Sequence, residues 1–188
     1  RKTAGGLWYL EFDGVDDVLV VYKSIMWHPT TGVTITTAAR GPAQGQKRLI
    51  TEGNTTSPSP IYSLVQVSGN TSNQLSHFIR ADNFPAKVSA NDYGLCWDDT
   101  ERVITVTDAP GTVIARVNAV QTNSESYTPS DITVNKFALG AIFRGSQSSQ
   151  DNFAGQFYGA VIRETVSTAS QIETLELWAA SKNGATLP

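Results

Sequence analysis

From residue 7 onward, apolar and polar side chains alternate along short stretches separated by clusters of Gly, Pro, Asn, Asp and Ser. In LWYLEF, Trp8, Leu10 and Phe12 alternate with Tyr9, Glu11 and Asp13, a period of two that gives an extended strand one apolar and one polar face. The same reading yields VLVVYK (18 to 23), VTITTAAR (33 to 40), KRLITEG (47 to 53), IYSLVQVS (61 to 68), LSHFIRA (75 to 81), RVITVT (102 to 107), TVIARVNAV (112 to 120), KFALGAIF (136 to 143) and QFYGAVIRE (156 to 164). Asp108-Ala109-Pro110-Gly111 has turn chemistry and predicts an antiparallel hairpin. The polar stretches 54 to 60, 69 to 74 and 121 to 131 read as loops. About ten strands of this kind predict an all-β fold of two packed antiparallel sheets.

The C-terminal stretch changes period. Thr168 followed by Gln171 forms a capping box, and Ile172, Leu175 and Ala179 repeat at helical spacing. The pattern predicts a helix over about 169 to 182, with Lys182 in its last turn, Gly184 ending it and Trp178 anchoring it on the sandwich.

A length of 188 residues suits one domain, 1 to 188. The 14 Lys+Arg against 17 Asp+Glu give a net charge of -3, and no basic cluster is present to neutralise a row of phosphates, so nucleic acid is not an expected partner. No apolar run approaches the roughly 20 residues that cross a bilayer, so membrane insertion is not expected. The opening RKTAGGLWYL lacks the apolar region of a signal peptide, which reads as a domain processed or excised from a longer protein. Cys96, the single cysteine, cannot close an intrachain disulfide. Asn54-Thr55-Thr56 and Asn70-Thr71-Ser72 match the N-glycosylation pattern, which also arises by chance in Ser/Thr-rich loops.

Candidate binding chemistry lies in aromatic residues beside amides and carboxylates, the combination that stacks on a sugar ring and bonds its hydroxyls. IMWHP supplies Trp27; NDYGLCWDD supplies Tyr93, Trp97 and Asp98 beside Asn91, Asp92 and Asp99; the polar SESYTPSD supplies Tyr127 as the aromatic expected to be most exposed. Burial at a strand end is the competing role of Trp27 and Trp97. Asp13, Asp16 and Asp17 crowd one turn, and calcium is the metal such carboxylates could take if Asp98 or Asp99 and loop carbonyls approached; solvated or backbone-bonded carboxylates are the alternative. His28 and His77 are too few for a zinc site, Cys96 lies in no nucleophile motif, and GxSxG is missing.

LEFDGVDDVLVV, WDDTERVITVTDAPGTVIARVNAV and the tail from FALGAIF through GQFYGAVIRETVSTASQIETLELWAASKNGATLP together resemble the laminin-G-like, concanavalin A-like lectin and glucanase jelly rolls, in versions found in phage tail and bacterial surface proteins. The chain departs from that pattern at Asn118-Ala119, where the family has a glycine. The resemblance implies a two-sheet jelly-roll sandwich with one C-terminal α-helix, and such folds often hold calcium at a sheet rim. It also raises the glucanase signature Glu-x-Asp-x-(x)-Glu, which Glu11, Asp13 and Asp16 nearly match. Retaining hydrolysis needs two carboxyl groups about 5 Å apart, which Glu11 and Asp13 on one strand face can supply. Asp16 has the wrong parity, and Asp13-Gly14 reads more simply as a turn.

These readings point to a non-catalytic recognition or adhesion module for a cell-surface glycan or polysaccharide, in a phage tail or bacterial surface protein, extracellular or on a virion surface. A structural or decoration domain that docks other subunits is the alternative; a jelly-roll glycoside hydrolase comes third. No cofactor is expected beyond calcium.

Overall fold

The computed structural model describes residues 1–26, 30–56, 60–67, 73–82, 87–145 and 149–188, with the backbone alone over 87–93. Its elements in chain order are β1 (Leu10–Asp13), β2 (Leu19–Val21), β3 (Val33–Arg40), β4 (Arg48–Gly53), β5 (Ile61–Val67), β6 (Gln74–Arg80), β7 (Lys87–Leu95), β8 (Arg102–Ala109), β9 (Thr112–Val117), β10 (Val120–Ser126), β11 (Lys136–Leu139), β12 (Ala154–Arg163) and α1 (Ala169–Asn183). The strands form two six-stranded antiparallel sheets, β1-β12-β3-β8-β9-β10 and β2-β11-β4-β5-β6-β7, stacked as a sandwich.

The alternation puts Val33, Ile35, Ile104, Val106, Val113 and Ala115 of the first sheet against Tyr62, Leu64, Val67, Leu75 and Ile79 of the second. Burial of these apolar faces stabilises the stack by about 25 cal/mol for each Å² removed from water. The predicted hairpin is β8–β9, and the capping box is present at Thr168 and Gln171, with Gly184 in the left-handed conformation at φ 79°. Among the described residues no helix is long and apolar enough to cross a membrane.

Two strands absent from the expected set, β7 and β10, close the far edges of the two sheets. β10 replaces part of the expected loop 121 to 131; its residues are exposed or half-buried, so a solvated edge strand needs no apolar alternation. The stretch 112 to 120 is correspondingly not one strand. It turns at Asn118 and Ala119, whose φ values of 47° and 65° are those a two-residue hairpin requires. Arg116 donates to the Ala119 carbonyl at 2.5 Å, and the Val103 amide to Asn118 Oδ1 at 2.9 Å, holding an alanine where glycine is usual.

KFALGAIF likewise leaves the sheet early, at Gly140 (φ 87°). A Cβ there would lie 2.5 Å from the Phe12 ring. The chain then crosses the outer face of the second sheet, where Thr51 donates to the Ala141 carbonyl at 2.7 Å and the Phe143 carbonyl rests on Gly53 with no room for a side chain.

Candidate functional site

The outer face of the second sheet gathers polar and cationic groups. In β5 and β6, Tyr62, Leu64, Leu75 and Ile79 enter the core, so the intervening Ser63, Ser76, Phe78 and Arg80 project from the opposite face. A register shift between Ser63 and Gln66 brings Gln66 to the same side, opposite both Arg48 and Ser76. There the Gln66 amide is engaged through both its oxygen and its nitrogen. Its oxygen accepts from Arg48 Nη1 at 2.6 Å and Ser63 Oγ at 2.9 Å, and its nitrogen donates to Ser76 Oγ at 3.0 Å.

Arg48 is buried at 3% exposure, a position that demands pairing. Asp151, held at φ 53° in the β11–β12 connection, accepts from Arg48 Nε at 2.9 Å. Burial lowers the basicity of Arg48, an effect Asp151 opposes and the charge of Arg144 reinforces. Arg48 and Arg80 stand 5.7 and 5.9 Å from the centroid of the half-buried Phe78 ring. Burial, then the charges of Arg144 and Arg48, hold Arg80 below its ordinary basicity. Arg144 is oriented by Gln150, whose Oε1 accepts from its Nε and Nη2 at 3.3 and 3.1 Å, and among the described residues it has no carboxylate partner.

Two guanidiniums thus flank one aromatic ring, buried Arg48 and half-exposed Arg80, and the half-exposed Arg144 is near enough for its charge to act on both. Planar guanidinium forks match a carboxylate bidentately, while an aromatic face accepts the C–H side of a ring. The arrangement is suited to an organic anion of modest size.

The expected site residues do not assemble this way. Trp27 and His28 lie outside the described residues, as does the side chain of Tyr93, whose backbone belongs to β7 and pairs with Leu75. Trp97 is a correction: it is fully buried, edge-on to Phe153 at 5.2 Å with its indole N–H toward the Gln66 carbonyl at 3.4 Å, so it offers no face to a sugar. A large apolar ring is worth more in the core than in water.

Tyr127 is corrected too. It is half-buried against the core, and its hydroxyl donates to the buried Asp108 at 2.9 Å, which also accepts from Tyr62 at 2.6 Å. Burial raises the Asp108 carboxyl to about 6 despite those two hydroxyls. Asp98 is exposed but engaged by Thr100 at 2.6 Å and by Arg102. His77 is buried in β6, and burial lowers it to about 4; Cys96 is buried as well, which raises its thiol.

At the opening acidic stretch, the structure shows a strand followed by a turn. Phe12 points inward while Glu11 and Asp13 are exposed, Glu11 in an ion pair with Arg1. Asp13 Oδ1 accepts from the Val15 amide at 2.7 Å and Asp17 Oδ2 from the Asp13 amide at 2.9 Å, and the Val15 bond leads the effects that lower the Asp13 carboxyl. The carboxylates of Asp13, Asp16 and Asp17 offer oxygens within 4.8 Å of one another. Calcium takes six to eight oxygens, so three carboxylates, two of them already accepting from the backbone of the turn, would fill only part of its shell.

The arginines escaped sequence reading because each sits alone in its segment and the register alone joins them. The available signal was parity: Phe78 and Arg80 share the face opposite Leu75 and Ile79 in one strand.

The sandwich is similar to solved sialidase domains. A CBM40 carbohydrate-binding domain of the Ruminococcus gnavus IT-sialidase, bound to α2,3 sialyllactose, aligns over 90% of this chain and 97% of its own with a TM-score of 0.65 and 12% identity. The NanB sialidase of Streptococcus pneumoniae matches over 88% of this chain at a TM-score of 0.66 and 13% identity, and there the chain spans only 27% of the sialidase's length. A leech intramolecular trans-sialidase matches over 85% of this chain and 24% of its own, with a TM-score of 0.62 and 15% identity. No protein-family model matches the sequence, and neither does any curated protein. Identities this low establish a shared fold, the two-sheet β-sandwich.

Proposed function

We propose that this domain is a non-catalytic glycan-recognition module that captures an acidic sugar of the sialic acid type on the outer face of its second sheet. The observation that carries the reading is the convergence of Arg48 and Arg80 on Phe78, with the charge of Arg144 acting on both. Arg80 and Arg144 would take the sugar carboxylate, Phe78 the apolar side of the ring, and buried Arg48 would reinforce the field with its geometry fixed by Asp151 and Gln66. Support comes from the fold shared with the Ruminococcus gnavus domain, whose structure holds a sialyllactose. Such a ligand sets the domain at an extracellular or virion surface, facing cell-surface glycans.

Calorimetric titration with 3′-sialyllactose tests this. Arg80→Ala and Arg144→Ala should each weaken binding by at least about tenfold, since a charge-assisted hydrogen bond contributes about 1.5–3 kcal/mol. Affinity unchanged in both variants, or no binding by the unaltered protein, would overturn it.

A second reading, assembly with other subunits, draws on the edge strands β1 and β2, where Leu10, Leu19, Val21 and Tyr22 are exposed at 46%, 50%, 47% and 80%. A mass that rises with concentration, abolished by Leu19→Lys, would support it.

A further inference from the structure

At the β1–β12 margin of the first sheet, away from the arginines, Arg1, Trp8, Tyr9, Leu10, Phe157 and Tyr158 line an open cleft of about 320 Å³. Its aromatic content is high for a surface feature. Trp8 is 71% exposed, an arrangement that forgoes the stabilisation an indole gains in a core.

The walls are fixed in advance. Tyr158 is buried against Ala38, Val103 and Ala179 and donates its hydroxyl to Gln156 Oε1 at 2.7 Å. Tyr9 packs on it with ring centroids 5.6 Å apart at 45°. The pairing of Leu10 with Phe157 places the cleft floor on a regular antiparallel ladder rather than on a loop. Trp8 is steadied by Lys2, whose Nζ stands 5.4 Å from the ring centroid.

At the rim, the Arg1 guanidinium is paired with Glu11, so a donor and an acceptor stand side by side with their charges matched. Among the described residues the Tyr9 hydroxyl has no hydrogen-bond partner, which leaves it to a ligand. An aromatic platform selects a ring with an apolar C–H face, a paired donor and acceptor select hydroxyls, and a matched charge gives no preference for an anion.

We infer that this cleft is a second sugar subsite, taking an uncharged pyranose stacked on Trp8 and Tyr9 with its hydroxyls on the Arg1–Glu11 pair. The cleft is formed by the β1–β12 edge of the first sheet and the segment that leads into β1, whereas the arginine cluster lies on the second sheet and its β11–β12 connection, so the two subsites share no residue. A glycan or cell surface that offers an acidic sugar and a neutral one would engage both, and the linkage would raise avidity without any new contact.

The test is ligand-observed saturation-transfer NMR with methyl β-D-galactopyranoside and methyl α-D-glucopyranoside, paired with the indole N–H resonance of Trp8 in the unaltered protein. At least one glycoside should show transfer and move the Trp8 resonance saturably. Trp8→Ala, a change at an exposed position, should weaken that binding roughly tenfold while leaving 3′-sialyllactose affinity intact, and Arg80→Ala should do the reverse. Absence of transfer from both glycosides, or transfer undiminished in Trp8→Ala, would refute the subsite. So would a Trp8 resonance that moves with protein concentration alone, which would assign the cleft to contact between copies. Failure of the acidic-sugar reading shows only in the arginine variants, so the two outcomes separate.

Discussion

The two outer faces of the sandwich are built from opposite materials. On the first sheet, Thr36, Ala38, Val103 and Thr105 make a low surface on which α1 lies, with Ala179 fully buried at the contact and Trp178 3.4 Å from where a Cβ on Gly159 would be. Small side chains let the helix approach closely, and Glu176 and Asn183 tie it down through Arg116 at 2.7 Å and the Arg102 carbonyl at 3.0 Å. On the second sheet the corresponding positions hold Arg48, Gln66, Phe78 and Arg80, and a loop rather than a helix crosses them. Gathering three arginines with one of them buried is unfavourable for stability, whereas a face of Thr and Ala closed by a helix is favourable. One face secures the fold, and the other is the face we propose for a ligand.

A matched pair of substitutions breaks this contrast most sharply. Ala179→Glu places a carboxylate beneath the helix, where exposure is 0%, and should cost about 4 kcal/mol, read as a lower urea midpoint. Arg144→Glu on the other face should change stability by less than about 1 kcal/mol while abolishing sialyllactose binding. Equal destabilisation by the two would show that the faces do not differ in role.

Gly53→Ala comes next. The added methyl collides with the Phe143 carbonyl, so the segment carrying Arg144 must shift. A loss of about 2 kcal/mol is expected, together with weaker sialyllactose binding and unchanged packing of α1. A variant that binds normally would show that the crossing segment does not set the position of Arg144.

The smallest effects come from pH and have opposite signs in the two sheets. His77 of the second sheet is lowered from 6.5 to about 4, so the unfolded chain takes the proton first and stability is lost as pH falls from 6.5 toward 4. Asp108 of the first sheet is raised from 3.8 to about 6, so the folded protein takes the proton first and stability is gained as pH falls through 6 toward 3.8. Between about pH 7 and pH 5 the histidine should cost about 2 kcal/mol and the aspartate return about 1 kcal/mol. Denaturation at both pH values should show a smaller acid loss in His77→Gln and a larger one in Asp108→Asn. Identical acid losses in both variants would refute the assignment.

The layered fold was legible because the residues that build it announce themselves locally. Val, Ile and Thr at alternate positions define β3, β5 and β8, and Thr168 with Gln171 marks the helix start within four residues. Where the sequence was silent, the deciding interaction was not local. β10 is polar on both sides because solvent meets its edge, and the Asn118-Ala119 turn lacks its usual glycine because Arg116 and Val103 hold it. The aromatic candidates misled for a related reason: Trp97 beside two aspartates has the composition of a sugar site, yet its neighbour Phe153 comes from 56 residues further on. Arg48, Arg80 and Arg144 meet only through the register of three strands and one crossing loop.

Arg144, Gln150 and Asp151 all ride on the single stretch that connects β11 to β12, which among the described residues sends only Phe153 into the core between the sheets. If the acidic-sugar reading holds, rewriting the few codons around Arg144 and Gln150 would retune the preferred acid, provided that Asp151 and Phe153 keep their partners in the strands beneath.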